Sequence, residues 1–308
     1  MTIDIILATY NGDKFLKEQI LSILNQSYKN IRLLIRDDGS SDESKNIILD
    51  LCNKDNRIIF IDDNIPPNGV GENFKILLQH CTSDYVMISD QDDIWNNQKI
   101  EKLLRFAEKK FTPLLPCIAY SPGIVTDTNL NVTNQLTSYS LKVKKVNDMI
   151  LMNGGVQGCA MIINKCLYKR ALKENIFWHM HDQVLTLYAI CFGSIYFYNE
   201  PLFFYRQHGN NVLGFNNNNI SHWFNKYIKN RKGNFLISKH SDNLFTMFLS
   251  KEKNNLKKET ITLFKKYNHC KKSKILFFIF ILNNRITLRN SQLTSLFKLI
   301  LAKELIEQ

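Results

Sequence analysis

Three carboxylates crowd into four residues at Asp90-Gln91-Asp92-Asp93, directly after the apolar run Tyr85–Ser89. Like charges at this spacing repel one another unless a cation or a solvated turn relieves them. Hard oxygen donors suit Mg2+ or Mn2+, which usually bind through one or two carboxylates together with substrate phosphates. A solvated acidic turn is the plainer alternative; the position at a strand end favours the metal.

Three further polar clusters stand at the ends of apolar runs. Ala8-Thr9-Tyr10-Asn11-Gly12 offers backbone groups, a hydroxyl and an aromatic face suited to gripping a base, although Asn-Gly by itself marks only a turn. Asp37-Asp38-Gly39-Ser40 places a carboxylate where it can accept from a base or a ribose; two adjacent carboxylates exceed what helix capping needs. The last cluster is split between His181-Asp182 and Arg206-Gln207-His208-Gly209-Asn210-Asn211. A carboxylate opening a helix is stabilised in its charged form, which suits a cap or a general base. His208 lies among turn-forming polar residues rather than on an apolar face, which favours a ligand role over a structural one.

Alternating strand and helix patterns must position these clusters. Ile3–Ala8, Ile31–Arg36, Arg57–Ile61 and Tyr85–Ser89 read as buried strands, and Lys14–Gln26 as a helix with Leu16, Ile20, Ile23 and Leu24 on one face. Ser40 and Glu43 have capping-box spacing ahead of a helix bearing Ile47, Ile48 and Leu51. Asp62–Gly71 is a loop, and Phe74, Leu77, Leu78 and Cys81 mark another helix. Such alternation implies right-handed βαβ units around a mainly parallel sheet, with ligands at the carboxyl ends of the strands. Further on, Gln98–Lys110 reads as helix, Ile118–Val125 as strand, residues 126–153 as a polar loop, Gly158–Asn164 as strand, Asp182–Phe192 as helix and Ser194–Tyr198 as strand. Leu202–Tyr205 then leads into the His208 cluster.

The net charge of +12 is unevenly spread. Residues 1–215 hold 22 basic and 23 acidic side chains, and residues 216–308 hold 18 and 5. The run Asn216–Asn219 reads as a linker, so we expect a domain of residues 1–215 and a basic, mainly helical extension of residues 216–308. The longest apolar run, Ile275–Leu282, is too short for a membrane-spanning helix, which needs about 20 residues. Met1–Leu7 lacks the pattern of a signal peptide. The seven cysteines form no CxxC pair and read as small buried hydrophobes in a reducing compartment.

Taken together and in order, ATYNG, DDGS, DQDD, HD and QHGNN resemble family 2 glycosyltransferases over residues 1–213. SDQDDIW and YRQHGNN look most like the bacterial rhamnosyltransferase-like branch; residues 216–308 lie outside the resemblance. It implies a GT-A-type α/β fold and an inverting transfer from a nucleotide sugar, dTDP-rhamnose or a UDP-hexose, with Mn2+ or Mg2+ as cofactor. By that resemblance Ala8, Thr9, Tyr10, Asn11, Asp38, Gly39, Asp90 and Gln91 contact the nucleotide, and Asp92 and His208 the metal. Asp182 matches the catalytic base, and Asp93, Gly158, Cys159, Trp178, His181 and Arg206 the donor or acceptor contacts. Where most relatives carry an acid before the base, this chain has His181.

The acceptor implied is a lipid-linked saccharide in O-antigen or capsule synthesis, at the inner face of the bacterial cell membrane. The basic extension is expected to make that peripheral contact, with self-association through the same surface as a further option. Nucleic acid is not expected, because the acidic strand-end clusters repel phosphate without a metal. A sugar nucleotidyltransferase lacks support because the first loop, ATYNG, has no Gly-x-Gly and no Arg. A hydrolase of DxD type needs an Asp where Ala8-Thr9 stands. A non-catalytic basic membrane-binding module is the remaining alternative.

Overall fold

The computed structural model describes residues 1–137, 143–208 and 235–307. Gly209-Asn210-Asn211, the Asn216–Asn219 linker and the expected boundary at 215/216 lie outside the described residues.

The core is a seven-stranded sheet in the order β10-β6-β9-β4-β1-β2-β3. Its strands are β1 (Ile3–Thr9), β2 (Ile31–Asp37), β3 (Ile58–Phe60), β4 (Tyr85–Ser89), β6 (Cys117–Tyr120), β9 (Met161–Asn164) and β10 (Ser194–Phe197). Helices α1 (Asp13–Leu24), α2 (Ser44–Cys52), α3 (Val70–Gln79), α4 (Lys99–Lys110), α5 (Lys165–Lys173) and α6 (His181–Phe192) connect them. The central strands are almost continuously apolar, as strands covered on both faces must be: Ile3, Ile5, Ile6 and Leu7 of β1 and Val86, Met87 and Ile88 of β4 are fully buried. Leu16, Ile20 and Ile23 lie on the buried face of α1, as their spacing requires.

Register decides where the polar clusters meet. β1 runs parallel to β2 with Thr9 opposite Asp37, and parallel to β4 with Leu7 opposite Ser89. The three strands therefore deliver their exits, Tyr10, Asp38 and Asp90, to one edge of the sheet.

The structure differs from the sequence expectations at several points. Between β4 and β6 the strand β9 runs antiparallel to both neighbours. Ile118–Val125 is not one strand: after β6 the chain turns at Ser121-Pro122-Gly123, and β7 (Ile124–Thr126) enters a second sheet. That sheet has the order β5-β11-β7-β8 and includes β5 (Ile94–Trp95), β8 (Val132–Leu136) and β11 (Phe203–Arg206). Proline cannot donate to a ladder, so the break falls there. The segment 126–153 accordingly contains β8 and a 3-10 turn at Val146–Asp148. Gly158–Ala160 forms another such turn rather than the start of β9. The capping box at Ser40 and Glu43 does not form: Glu43 makes no side-chain cap, and the Ser40 hydroxyl donates to Asp37 instead.

The C-terminal part holds β12 (Phe235–Ile237), α7 (Lys239–Glu252), α8 (Lys258–Cys270), α9 (Lys274–Asn284), α10 (Gln292–Leu301) and β13 (Glu304–Ile306). β12 and β13 pair in parallel. Aromatic rings join this part to α6, with Phe248 edge-on to Tyr188 at 5.0 Å. The buried Lys298 ammonium donates to the carbonyls of Leu151 at 3.1 Å and Leu236 at 2.7 Å.

Candidate active site

At the sheet edge the loop after β1 is fastened from two sides. The Gln91 carboxamide accepts from the Thr9 hydroxyl at 2.6 Å and the Tyr10 N–H at 2.9 Å, and donates to the Tyr10 carbonyl at 3.2 Å. Asn11, at φ 47°, receives the Ser41 N–H on its side chain and donates its own N–H to Ser40 Oγ. These bonds leave the Tyr10 side chain exposed at the edge. Asp38 is buried and already heavily engaged: Arg36 Nη1 and the N–H groups of Asn68 and Gly69 all donate to it. Its observed work is to hold the loop before α3 beside the site.

Past β4 the acidic turn splits its carboxylates between two environments. Asp92 Oδ2 lies 2.7 Å from His208 Nε2, and both side chains are largely enclosed. Phe15 packs at 5.0 Å from the imidazole. Arg206 is buried; its guanidinium donates to the Asp92 carbonyl at 3.1 Å and to Glu18 at 2.6 Å, and lies 4.3 Å from the Phe15 ring. Arg206 thus shapes the acidic turn from behind. The carboxylate oxygen suits Mn2+ or Mg2+, and the imidazole nitrogen beside it is a donor that fits a transition ion such as Mn2+ better than Mg2+.

Behind this pair, oxygens of Asp90 and Asp93 and the Cys159 sulfur lie within 4.8 Å of one another. Burial, with Asp92 adding its charge, pushes the Asp90 carboxyl up to about 7, and Asp93 is raised well above the usual carboxylate range for the same reasons. Burial also raises the Cys159 thiol, which leaves it protonated and a poor partner for a hard cation. Lys99 was not singled out in the sequence, yet its ammonium is fully buried here. It donates to the Cys159 carbonyl at 2.6 Å and stands 3.9 Å from the centre of the Trp95 ring. A lysine on the inner face of an amphipathic helix was the signal that could have found it.

Asp182 opens α6 and is buried. Burial pushes its carboxyl up to about 6, against the Gln183 and Gly155 N–H groups, which donate to it and favour the charged form. The close fit at Gly155 is steric as well, since a Cβ there would lie 2.2 Å from the Asp182 carbonyl oxygen. Asp182 is near enough to Asp90 to raise its pKa. The acidic turn, His208 and the start of α6 thus share one end of the sheet.

Four residues expected at the donor or acceptor, Trp178, His181, Gly158 and Cys159, are buried. Trp178 is completely buried, and its backbone N–H donates to Glu72 at 2.7 Å. His181 is closed in by Phe74, ring centres 3.9 Å apart. Burial lowers its pKa to about 3, so it is neutral at ordinary pH. Gly158 provides the space for that ring, because a Cβ would sit 2.1 Å from His181 Nε2. The Cys159 side chain is equally buried, so its exposed chemistry is limited to what its backbone does. Arg36, the buried partner of Asp38 and Asp63, was missed, hidden inside the apolar run Ile31–Arg36.

The family described as Glycosyl transferase family 2 matches residues 4–170. A dTDP-rhamnosyl transferase, RfbG, of Shigella flexneri is 28% identical over 236 residues, 68% of this chain and 74% of that protein. An uncharacterized glycosyltransferase of Haemophilus influenzae is 42% identical over 106 residues, 34% of this chain but only 41% of the relative's own length. Among solved structures, S. aureus TarS 1-349 in complex with UDP-GlcNAc is similar, with a TM-score of 0.55 at 16% identity, covering 91% of this chain and 81% of that one. The complex of the same protein with UDP gives a TM-score of 0.57 at 14% identity, with 88% and 71% covered. The expected GT-A-type α/β fold is the one observed.

Proposed function

The chain belongs to glycosyl transferase family 2, and from that premise we propose that it is an inverting glycosyltransferase acting on a nucleoside-diphosphate sugar. The observation that carries the reading is the meeting of Asp92, His208, Asp90 and Asp182 at one end of the sheet. In this reading Ala8, Thr9, Tyr10 and Asn11, with Gly39, Asp90 and Gln91, form the nucleotide side. Asp38 reaches the ribose only through what its present partners leave, and Asp93 and Arg206 support the turn.

Asp92 and His208 would hold Mn2+ or Mg2+, which when bound neutralises the donor diphosphate and stabilises the leaving group. Asp182 takes the proton of the acceptor hydroxyl as that oxygen attacks the anomeric carbon. The carbon–oxygen bond to the diphosphate breaks on the opposite face, and the configuration inverts. A carboxyl held near 6 is a better base than an ordinary Asp and still ionised at neutral pH.

A relative described as a glucosyltransferase acting from UDP-Glc on a diphosphoundecaprenol-linked sugar supports a lipid-linked saccharide acceptor, and one described as a dTDP-rhamnosyl transferase adds a second candidate donor. The donor in this reading is dTDP-rhamnose or a UDP-hexose, as those two names suggest, and the expected setting is surface polysaccharide synthesis, as O-antigen or capsule. The division into a catalytic part, 1–215, and a basic extension, 216–308, belongs to the same reading, with the extension peripheral on the cytoplasmic face of the membrane. Among the described residues no helix is long and apolar enough to cross a membrane. Thermal shift with a panel of nucleoside diphosphates, with and without Mn2+, tests the donor site; radiolabelled transfer from dTDP-rhamnose and UDP-glucose then assigns the sugar. Absence of any metal-dependent shift across the panel would defeat the reading.

A further inference from the structure

Helix α9 has apolar residues on two opposite faces. Phe277, Phe280 and Ile281 point inward and are buried, Phe277 and Phe280 packing on Tyr267. Ile275, Phe278, Ile279 and Leu282 follow the i, i+3, i+4, i+7 spacing of a single stripe and are 41–75% exposed. The apolar run noted in the sequence is thus divided: two of its three phenylalanines are core, and only Phe278 belongs to a surface. On α10, which packs beside α9, Leu293 and Ile300 repeat the arrangement at i, i+7 and are also exposed.

Single exposed apolar residues need no explanation, but a four-residue stripe with two more exposed apolar residues on the neighbouring helix does. Its electrostatic setting points to the occupant. From Thr260 to Lys303 the chain contains no Asp or Glu, while Lys265, Lys266, Lys271, Lys272, Lys274, Arg285, Arg289, Lys298 and Lys303 are basic. Lys271 is paired with Asp242, Lys274 donates to the Ala302 carbonyl and Lys298 is buried, but Lys272 stands exposed at the start of the stripe and Arg285 and Arg289 just past its end. An apolar stripe between cationic ends matches a bilayer interface, where acyl chains lie beneath anionic headgroups. A second copy of the chain would bring the same cations against one another.

We propose that the outward stripe of α9, Ile275, Phe278, Ile279 and Leu282, inserts into the surface of an anionic membrane, with Lys272 and Arg285 on the headgroups. The proposal deepens the peripheral placement given above and rests on it for the location of the acceptor, but not for the reaction.

The test uses the full chain, with sedimentation on vesicles of phosphatidylcholine alone or mixed with phosphatidylglycerol. Ile275→Gln, Phe278→Gln and Ile279→Gln are combined in one variant; glutamine keeps the helix and the positions are exposed, so folding survives. Lys272→Gln with Arg285→Gln forms a second. Nucleoside diphosphate binding is measured in parallel for all three proteins, so that loss of the donor site and loss of the membrane surface are read separately. The expected result is preferential binding of the parent chain to anionic vesicles, weakened roughly tenfold or more in the apolar variant and made insensitive to salt in the charge variant. Unchanged vesicle binding by the apolar variant overturns the proposal. So does a parent chain that ignores vesicles but forms a dimer that the apolar variant abolishes.

Discussion

Asp92 Oδ2 and His208 Nε2 stand 2.7 Å apart although 116 positions separate them in the chain. The contact exists because β11 delivers His208 to the turn after β4, while Arg206, two residues earlier, holds the backbone of that same turn. If the pair holds a divalent cation, Asp92→Asn and His208→Ala each weaken Mn2+-dependent nucleoside diphosphate binding by about tenfold or more. Titration calorimetry with and without chelator measures this. Equal affinity in both conditions would remove the cation from the site.

The Asp182 carboxyl, held near 6 by burial, must be deprotonated to accept a proton. The rate of transfer should therefore level off above about pH 7 and fall about tenfold per unit below 6. Asp182→Asn should bind donor nucleotide normally, lose transfer by about 10²-fold or more, and lose the acid limb from what activity persists. A mutant with near-normal turnover would place the base elsewhere.

Gly158 and His181 share a space with no room for another atom. Gly158→Ala should cost about 1–3 kcal/mol of stability by denaturant unfolding. Adding His181→Ala should recover part of the loss, because the ring that collides with the new methyl is gone. A strictly additive double variant would mean that the strain is relieved some other way.

His181 also couples stability to acid. Its folded pKa is about 3, whereas in the unfolded chain it titrates at about 6.5. Protons bind the unfolded state first, so this residue's contribution is intact above 6.5 and declines as pH falls toward 3. Between pH 7 and pH 5 that amounts to about 2 kcal/mol. The loss should be absent from His181→Leu, so that the stability difference between the two proteins changes by this amount over the same range. Parallel pH profiles would contradict the burial of a neutral ring.

The edge at which the site forms was legible because it depends on local pattern. Continuous apolar strands signal a sheet covered on both faces, and polar clusters directly after them fall at its carboxyl end whatever the loops do. What escaped the reading depends on contacts distant in sequence. Nothing near Trp178 says that Glu72 takes its backbone N–H, and nothing near Asp38 reveals that the N–H groups of Asn68 and Gly69, 30 and 31 positions on, donate to it. The antiparallel insertion of β9 was illegible for a related reason: a four-residue buried strand has the same composition in either direction. The second sheet was hidden by the brevity of β5 and β7, two and three residues long.

The buried lysine of α10 gives the C-terminal part a standing that its sequence does not suggest. Lys298 grips the Leu151 carbonyl, the Asn153 side chain receives the Ser238 N–H and donates to the Leu236 carbonyl, and two residues further on Gly155 donates to Asp182. Asp182, the proposed base, is therefore seated on a segment that the C-terminal part holds in place. By linkage, any surface that binds the seated tail better than a loosened one raises the population in which Asp182 is in position, and occupancy of the site favours the seated tail to the same degree. An enzyme of this construction would be most competent where its tail is engaged, and a chain cut at residue 215 would lose reactivity together with the proposed membrane contact.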